Sequence, residues 1–598
     1  MKNGKYSLIP QYPVKLKLFR SFILFSILTF YSYLSPCQIT TISGIVNSYY
    51  KVTDVIPAKA CVKVTDAAGL NYNDKVMLVQ IKGASINTNS NSSSFGDTIS
   101  LNHAGNYEIA TVCHVKDDSV FLVFMLLNQY TVAGKVQLVK IPQYYSADIT
   151  DTLKPAPWNN TTGTGGVLAV SVEEDLLLNA PIYADASGFQ GGTYRLSGDN
   201  CSNASPANAY AYNADVNDPT TQNGAFKGEG IADVANTESG GRGAPANGGG
   251  GGNNHNNGGG GGANLSAGGI GGGNSSSTGC LTPLQGIGGK ALSSYGGTKI
   301  FLGGGGGAGH VNNGILNAYG GGNGGGIIFI QAKNLVGNNR KISANGQLGG
   351  HSSGDGASGG GGGGTIIIGA TNYVGNVTIE ANGGQGGTED NGNIAGRCYG
   401  SGGGGSGGAV CFTGVVPPVT VSANGGNAGP ETRRTASCNP AIPSLAGSAG
   451  QLISNYTYLR SFVLANSYCA LLLPVELAWF KAVYKNGHVE LNWKIDQPEI
   501  ADQFIIERSG DGGNWTNINR YTAIDGVSVY QFIDLFPQPK TNFYRLKMID
   551  KSNIVNYSAV HKIFIPLKNN LIKIYPNPAS KKVFITGTLP ALTEISLF

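Results

Sequence analysis

Histidine, cysteine and carboxylate side chains are the groups of this chain that could do chemistry, and the histidines are considered first. They are scattered, with no His-Glu-x-x-His motif and no cysteine and histidine spacing of a zinc site. Cys113 and His114 adjoin as a nucleophile and its base would, but neighbouring residues on a strand point to opposite faces. The sequence therefore predicts no catalytic residue and no cofactor. The seven histidines are His103, His114, His255, His310, His351, His488 and His561.

Carboxylates offer two further possibilities. The acidic run at residues 173–175 (Glu-Glu-Asp) could bind calcium, although adjacent carboxylates on a strand more often mark a solvated edge. A polysaccharide-active enzyme would need paired carboxylates that converge on one groove. The candidates share no repeat register in the sequence, so catalysis is the alternative rather than the preferred prediction. These candidates are Asp355, Glu380, Glu389 and Asp390.

The cysteines suggest an oxidising compartment. Nine are present, and eight remain if Cys37 is removed or modified. Two pairs are candidate disulfides, although eight cysteines allow 105 pairings and the sequence does not choose among them. The candidate pairs are Cys61 with Cys113, and Cys398 with Cys438.

The composition narrows the class of protein. Only 13% of the 598 residues are charged, and the net charge of +5 is spread thinly along the chain. Without a basic cluster or a nucleic-acid motif, a nucleic-acid partner is not expected. Glycine is concentrated, since 80 of the 93 glycines lie between residues 160 and 450. Glycine patterns that resemble a phosphate loop, as at residues 303–309, arise by chance in such a block and lack a following helix or Lys-Ser/Thr.

The N-terminus has the pattern of a signal peptide at residues 1–37. Basic residues precede the apolar run 21–34, which is shorter than the roughly 20 residues that span a bilayer as a helix. Cleavage before Gln38 is the preferred interpretation, and acylation of Cys37 is the alternative. Because no later segment is long and apolar enough to be an anchor, we expect a secreted or surface-attached protein without a transmembrane anchor.

Residues 38–150 predict a β-rich N-terminal domain. Runs of alternating β-branched and aromatic residues at 75–81, 107–113, 120–125 and 135–141 are separated by turn signals. The fold class predicted for the whole chain is all-β.

A degenerate repeat runs through the glycine-rich block, residues 160–453. Each unit reads as a strand, a turn, a second strand and a glycine loop. The repeated residues Ala344, Ala381 and Ala423 are 37 and 42 residues apart, whereas Ala184 precedes Ala344 by 160, so the first unit carries an insertion. Because one unit cannot bury both of its strand faces, the units are expected to stack into a β-solenoid or layered strands.

The glycine runs invite a disordered linker as the simplest interpretation. However, apolar residues recur at fixed positions beside the runs, which a linker does not require. The pattern resembles that of glycine-rich surface proteins in which polyglycine type II helices pack side by side against strands, and this favours an ordered block. The repeats place asparagine after the alanine, at Asn345, Asn382 and Asn424, and a left-handed turn is the expected role of these residues rather than cation binding.

Residues 466–566 return to ordinary globular composition. Spaced strand patterns with an early tryptophan, Trp493, and a late Tyr-Arg-Leu strand at Tyr544 are typical of an immunoglobulin-like sandwich. The segment resembles the fibronectin type III-like module that precedes type IX sorting tails. Trp493 and Tyr544 are predicted to be core residues.

Residues 570–598 carry a short motif with a specific resemblance. Lys573-Ile-Tyr-Pro-Asn-Pro-Ala579 followed by Val583-Phe-Ile585 resembles the opening of the C-terminal sorting domain of Bacteroidota type IX secretion cargo. The resemblance implies a sorting signal at Tyr575, Pro576, Asn577 and Pro578, and the type IX machinery as a partner. Complete tails continue for several further strands, so the sorting domain is expected to be truncated here.

Two functional classes follow from these observations. The favoured one is a secreted, surface-displayed structural or adhesive protein that could bind extracellular glycans or other surface proteins. The alternative is a lyase or glycoside hydrolase on a β-solenoid, which needs converging carboxylates.

Overall fold

The computed structural model is all-β, as the sequence predicts. It describes residues 39–196, 209–212, 224–253, 255–274, 284–292, 297–312, 320–438, 442–460, 477–495, 498, 501–524, 527–550, 555–566, 573–575 and 584–586. The predicted signal peptide lies outside the described residues. The chain divides into two compact units, Met1–Leu464 and Ala465–Phe598. The segments predicted as separate domains at 38–150 and 160–453 thus belong to one unit.

The first 153 residues supply eleven described strands: β1 Thr40–Gly44, β2 Tyr49–Ile56, β3 Cys61–Val64, β4 Lys75–Gln80, β5 Ser85–Ile86, β6 Thr98–Ser100, β7 Tyr107–Lys116, β8 Ser119–Leu122, β9 Val136–Ile141, β10 Gln143–Tyr144 and β11 Ala147–Leu153. Six of them close an antiparallel barrel in the order β2-β3-β8-β7-β4-β9. The strand bounds lie close to the four apolar runs that the sequence indicated. Short 3-10 turns occur at Pro57–Lys59 and Val132–Gly134.

The glycine-rich block supplies thirteen described strands: β12 Val167–Val172, β13 Asp175–Leu178, β14 Ile182–Tyr183, β15 Ile327–Val336, β16 Arg340–Ser343, β17 Ser352–Ser353, β18 Thr365–Val374, β19 Val377–Glu380, β20 Glu389–Asp390, β21 Ala409–Phe412, β22 Thr420–Ser422, β23 Glu431–Thr432 and β24 Gln451–Ile453. Further 3-10 turns lie at Asn236–Glu238 and Ala436–Cys438. The predicted repeat strands all form.

The repeats stack in parallel and in register. One large sheet runs β22-β19-β16-β14-β11-β13-β15-β18-β21-β24, with β1 beside β11 and β12 between β10 and β15. Val167, Ile327, Thr365, Ala409 and Gln451 follow one another as direct partners across it. The other repeat strand behaves likewise, through Ile182, Ile342, Ile379 and Val421. This is the predicted solenoid stacking.

Both faces of the first repeat strand are buried. Val167, Ile327 and Phe329 pack in a core shared with barrel residues such as Met77 and Val139. Their neighbours Leu168, Ile328 and Ile366 face the opposite way, into a second core that contains the facing strands β14, β16 and β19. Parallel strands covered on both sides are expected to be continuously apolar, which explains runs such as Ile327-Ile-Phe-Ile330. The barrel and the solenoid therefore share a core.

The glycine runs pack beside the sheet through backbone hydrogen bonds that change direction with a period of three residues. In run 303–308, the N–H groups of Gly303 and Gly306 donate to one neighbouring run, at Gly325 and Gly322. Those of Gly304 and Gly307 donate to a second run, at residues 263 and 260, and those at 305 and 308 donate to a third, at residues 229 and 226. Run 359–364 repeats this arrangement. A threefold extended helix without internal hydrogen bonds has the geometry of polyproline II, so these runs are polyglycine type II helices.

The second unit contains β25 Leu477–Lys485, β26 His488–Ile495, β27 Ala501–Ser509, β28 Thr516–Thr522, β29 Val529–Asp534, β30 Lys540–Asp550, β31 Val555–Tyr557, β32 His561–Ile565, β33 Lys573–Tyr575 and β34 Phe584–Thr586. Two antiparallel sheets, β25-β26-β29 and β28-β27-β30-β31 with β32 on β30, share one core. Trp493 is fully buried and stacks on Tyr530, and Tyr544 is fully buried with its hydroxyl donating to Asp534 at 2.7 Å. Their predicted core roles are confirmed.

Candidate functional site

The cysteines follow one of the two proposed pairings. Cys398 and Cys438 form a disulfide, with Cα atoms 5.3 Å apart. The proposed bond between Cys61 and Cys113 is wrong. Cys61 is a buried free thiol, whereas Cys113 is in a disulfide. The physical reason is that strand β8 lies between β3 and β7 in the barrel, so the two cysteines are two strand spacings apart, about 9.6 Å, which is too far for a disulfide.

Cys113 and His114 do contact each other, contrary to the argument from strand alternation. The Cys113 Sγ lies 3.4 Å from the His114 Nδ1. The pairing of β7 with β8 shifts register between Val112 and His114, which places Cys113 at an irregularity where regular alternation does not hold. Because the Cys113 sulfur is already in a disulfide, it has no thiol to serve as a nucleophile.

The acidic run at residues 173–175 is engaged with the next repeat. Glu174 forms an ion pair with Lys333 at 2.6 Å, and Asp175 accepts a hydrogen bond from the Asn334 side chain at 2.6 Å. Asn334 in turn accepts one from Asn372 at 2.8 Å. These contacts join the strands of neighbouring repeats. In the described ranges, no three His, Cys, Asp or Glu side chains come together as a metal site would need.

No two of the four carboxylates considered for catalysis are partners in the repeat register, as the sequence predicts, but Glu389 lies in a row with another carboxylate, Glu431. Glu389 on β20 pairs with Ser352 on β17 and with Glu431 on β23. These three residues are 37 and 42 residues apart, the same spacing as the repeated alanines. Asp390 occupies the next register position, and its carboxylate forms an ion pair with Arg433.

Burial distinguishes these carboxylates from a solvent-accessible pair. Asp355 and Glu389 are both fully buried, and Glu389 accepts a hydrogen bond from the Gly354 N–H at 3.0 Å. Burial, together with the nearby charges of Asp355 and Asp390, raises the pKa of Glu389 to about 9. Glu389 is therefore a neutral carboxylic acid inside the block at neutral pH. A polymeric substrate has no access to a group with this burial.

Glu380 lies apart from this buried cluster, on the outer face of the second repeat strand. That face, called here the ladder face, carries three rows of polar side chains that point away from the apolar Ile and Ala positions. Its members are Tyr183, Asp185, Lys341, Ser343, Asn345, Thr378, Glu380, Asn382, Thr420, Ser422 and Asn424. Ser343 is fully buried, and the other members are partly or fully exposed.

The asparagine row is a hydrogen-bonded ladder, and the expected left-handed turn is wrong. Asp185 Oδ1 accepts the backbone N–H of Asn345 at 2.6 Å, Asn345 Oδ1 accepts that of Asn382 at 2.7 Å, and Asn382 Oδ1 accepts that of Asn424 at 2.8 Å. None of the three asparagines has a positive φ. Each amide oxygen thus fixes the backbone of the next rung, which positions the row. The spacing of these asparagines, 37 and 42 residues as for the repeated alanines, was the sequence signal that could have revealed the ladder.

A charged pair lies in the middle of the ladder face. Lys341 donates to Glu380 at 2.9 Å, and the Asn345 side-chain amide donates to the same carboxylate oxygen at 3.2 Å. The hydrogen bond to Glu380 raises the pKa of Lys341. Burial raises the pKa of Asp185, against the opposing effect of its hydrogen bonds from Asn345 and Ser343. The face therefore combines hydroxyls, amides, one ion pair and the partly exposed ring of Tyr183.

The predicted sorting signal is described only in part. Tyr575 is the last residue of β33, which pairs antiparallel with β34, so the two strands expected from the motif form. Pro576, Asn577 and Pro578 lie outside the described residues. Across the described ranges, no helix has the length and apolarity to cross a membrane.

Comparisons with known proteins give little similarity. No family model and no curated protein matches the sequence. Among solved structures, a putative carbohydrate binding protein from Bacteroides uniformis ATCC 8492 aligns with 21% of this chain and 67% of its own length. The identity is 10% and the TM-score is 0.13, values too low to support an inference about fold or ligand.

Proposed function

We propose that this chain is a secreted, surface-displayed structural or adhesive protein whose ladder face binds extracellular glycans. The observation that carries the proposal is the in-register array of hydroxyl, amide and carboxylate groups on that face. Neighbouring strands place these groups about 4.8 Å apart. A polysaccharide also presents hydroxyls at regular intervals, and a fixed row of donors and acceptors is suited to such a ligand.

Buried side chains beneath the ladder face hold it rigid. The ladder side chains stand on strands whose inner residues Ile342, Ile379 and Ala381 are fully buried. A preorganised surface loses little conformational entropy when it binds, so modest contacts suffice for affinity. The rigid support beneath the polar rows favours binding over a purely space-filling role for them.

The binding test uses a glycan array with purified protein. Tyr183→Ala and Thr378→Ala remove an exposed ring and a hydroxyl from the ladder face, and each is expected to weaken binding of the best glycan about tenfold, or about 1.4 kcal/mol. Tyr145→Ala is the matched control, because Tyr145 is a comparably exposed tyrosine outside the ladder face. Equal binding by all variants, or no glycan bound by the parent, would contradict the proposal.

The same material distinguishes binding from cleavage. We propose that the ladder face binds without cleaving, so no reducing ends should be released from a bound polysaccharide. Release that disappears in Glu380→Gln would instead support the alternative, a polysaccharide-active enzyme with Glu380 as an acid or nucleophile.

We also propose export by the type IX secretion system, with the outer-membrane surface or the medium as the destination. Support comes from the signal-peptide pattern at residues 1–37 and the motif at Tyr575 to Pro578. A reporter fused behind a signal peptide and ahead of residues 466–598 should reach the surface of a host with that system. Retention in the periplasm of such a host would argue against this route.

A further inference from the structure

Lys82 is a buried amine in contact with two carboxylates. Its side chain is 3% exposed, and its Nζ lies 2.8 Å from Glu229 Oε1 and 3.0 Å from Asp233 Oδ1. Lys82 follows barrel strand β4, whereas Asp233 belongs to the glycine-rich block 151 residues later. Among the described residues, Lys82 is the one lysine with two carboxylate partners within ion-pair distance.

Glu229 is held in a fixed orientation by two further hydrogen bonds. Its Oε1 also accepts the Trp158 indole N–H at 3.0 Å, and its Oε2 accepts the Gln190 backbone N–H at 3.0 Å. The Phe189 ring packs edge-on against Trp158, and the Lys82 Nζ lies 5.8 Å from the centre of the Phe189 ring. The apolar rings exclude water from one side of the amine, and they leave Glu229 placed to exchange a proton with it.

Asp233 provides the electrophilic carbon and an exit to solvent. Its side chain is 55% exposed, on the rim of a cavity of about 230 Å³ that Lys82 and Glu229 also line. The Nζ lies 3.0 Å from Asp233 Oδ1, which is bonded directly to the carboxyl carbon that the amine would attack. A water released from Asp233 can leave through the cavity.

We infer that Lys82 and Asp233 become joined by an intramolecular amide bond, with Glu229 as the proton-transfer group. The ammonium gives one proton to Asp233 across their ion pair, and the free Nζ attacks Cγ of the resulting carboxylic acid to form the C–N bond. Glu229 takes the second proton from the nitrogen and passes it to the departing hydroxyl, so the C–O bond breaks and the oxygen leaves as water. The ammonium and carboxylate are consumed as one amide and one water, Glu229 is regenerated, and no oxidant or co-reactant is needed.

Such a bond would fasten the barrel to the glycine-rich block. It is independent of the glycan proposal, since none of its residues belongs to the ladder face. A cross-link between positions 151 residues apart closes a long loop and restricts the unfolded chain, as a disulfide does. The consequence is that the barrel and the glycine-rich block stay covalently cross-linked under reducing conditions.

Mass spectrometry of the purified, disulfide-reduced full chain tests the bond. The parent is expected to be one water, about 18 Da, lighter than its calculated mass. A tryptic digest should contain a branched peptide that links residues 76–116, uncut after Lys82, to residues 228–242. The branched peptide also distinguishes this bond from any loss of mass at the N-terminus.

Three variants assign the chemistry. Lys82→Arg, Asp233→Ala and Glu229→Gln should each lack the branched peptide and recover the lost water. Asp74→Ala is the matched control, because Lys140 and Asp74 form an ion pair at 2.8 Å without a second carboxylate; this variant should keep the Lys82 branch. A parent of unmodified mass that yields separate, fully cleaved peptides overturns the inference, and so does a branch that persists in Asp233→Ala.

Discussion

Replacing Gly307 by alanine is expected to lower the free energy of unfolding of the first unit by about 3 kcal/mol or more. A Cβ at this position would lie 2.0 Å from the Gly250 carbonyl oxygen and 2.4 Å from its carbon. Both atoms are backbone, so no rotamer change relieves the overlap, and two polyglycine helices must move apart. Ordinary overpacking costs about 1–3 kcal/mol, and this overlap is more severe.

The measurement for Gly307→Ala is chemical denaturation, followed by the fluorescence of Trp158, which is buried in the core shared by the barrel and the solenoid. Gly414→Ala is the control, because Gly414 is exposed and a Cβ there meets no atom within 4 Å. This control should stay within about 1 kcal/mol of the parent. Equal stability of the two variants would mean that the glycine runs do not pack as described.

Stability is expected to fall as pH rises from about 6.5 to 9, and Glu389→Gln is expected to reduce that fall. Burial raises the pKa of Glu389 to about 9 in the folded protein, against about 4.3 in an unfolded chain. The folded state therefore keeps a proton that the unfolded state has lost. The contribution is complete below the unfolded pKa and decreases with pH, by about 1.4 kcal/mol for each pH unit, until the folded pKa is reached.

Unfolding free energies at pH 6 and pH 9 test this second prediction. Glutamine keeps the shape and the hydrogen-bond acceptor of Glu389 but cannot ionise, so the variant should lose less stability between the two values. Burial also raises the pKa of Glu431, so some slope will remain. Glu174→Gln, a change at a partly exposed ion pair on the solenoid, is the control and should keep the slope of the parent. A parent whose stability is unchanged across this range would contradict a buried, protonated Glu389.

At low pH, buried His310 gives the free energy of unfolding the opposite dependence on pH. Burial, with a smaller effect of His255, lowers the pKa of His310 to about 3. The unfolded chain therefore binds a proton that the folded chain excludes, and the stability that depends on neutral His310 is lost as pH falls from about 6.5 toward 3. The two buried groups place the maximum of stability on the mildly acidic side of neutrality.

The strands and their register were predictable because their side chains carry the signal. The apolar runs at 327–330 and 366–368, with alanines at spacings of 37 and 42 residues, indicate stacked repeats. The same spacings connect Ser352, Glu389 and Glu431, so the register of these three residues could also be predicted from the sequence. Trp493 and Tyr544 were identified as core residues from strand patterns alone.

Other features had no sequence signal of this kind. A glycine has no side chain that could indicate which run it contacts, so the three neighbours of run 303–308 emerge only in three dimensions. The contact between Cys113 and His114 depends on a register shift, and strand alternation cannot reveal such a shift. The meeting of Lys82, Glu229 and Asp233 depends on how the barrel packs against a distant loop.

Amide hydrogen exchange in the glycine runs tests the central claim most directly, namely that the glycine-rich block is a packed scaffold that supports the ladder face. The N–H groups of runs 303–308 and 359–364 are buried and hydrogen-bonded to neighbouring runs. We expect them to exchange as slowly as those of strands β15 and β18, because both open only when the core does. Rapid, uniform exchange across these runs, as in an unstructured linker, would contradict the account.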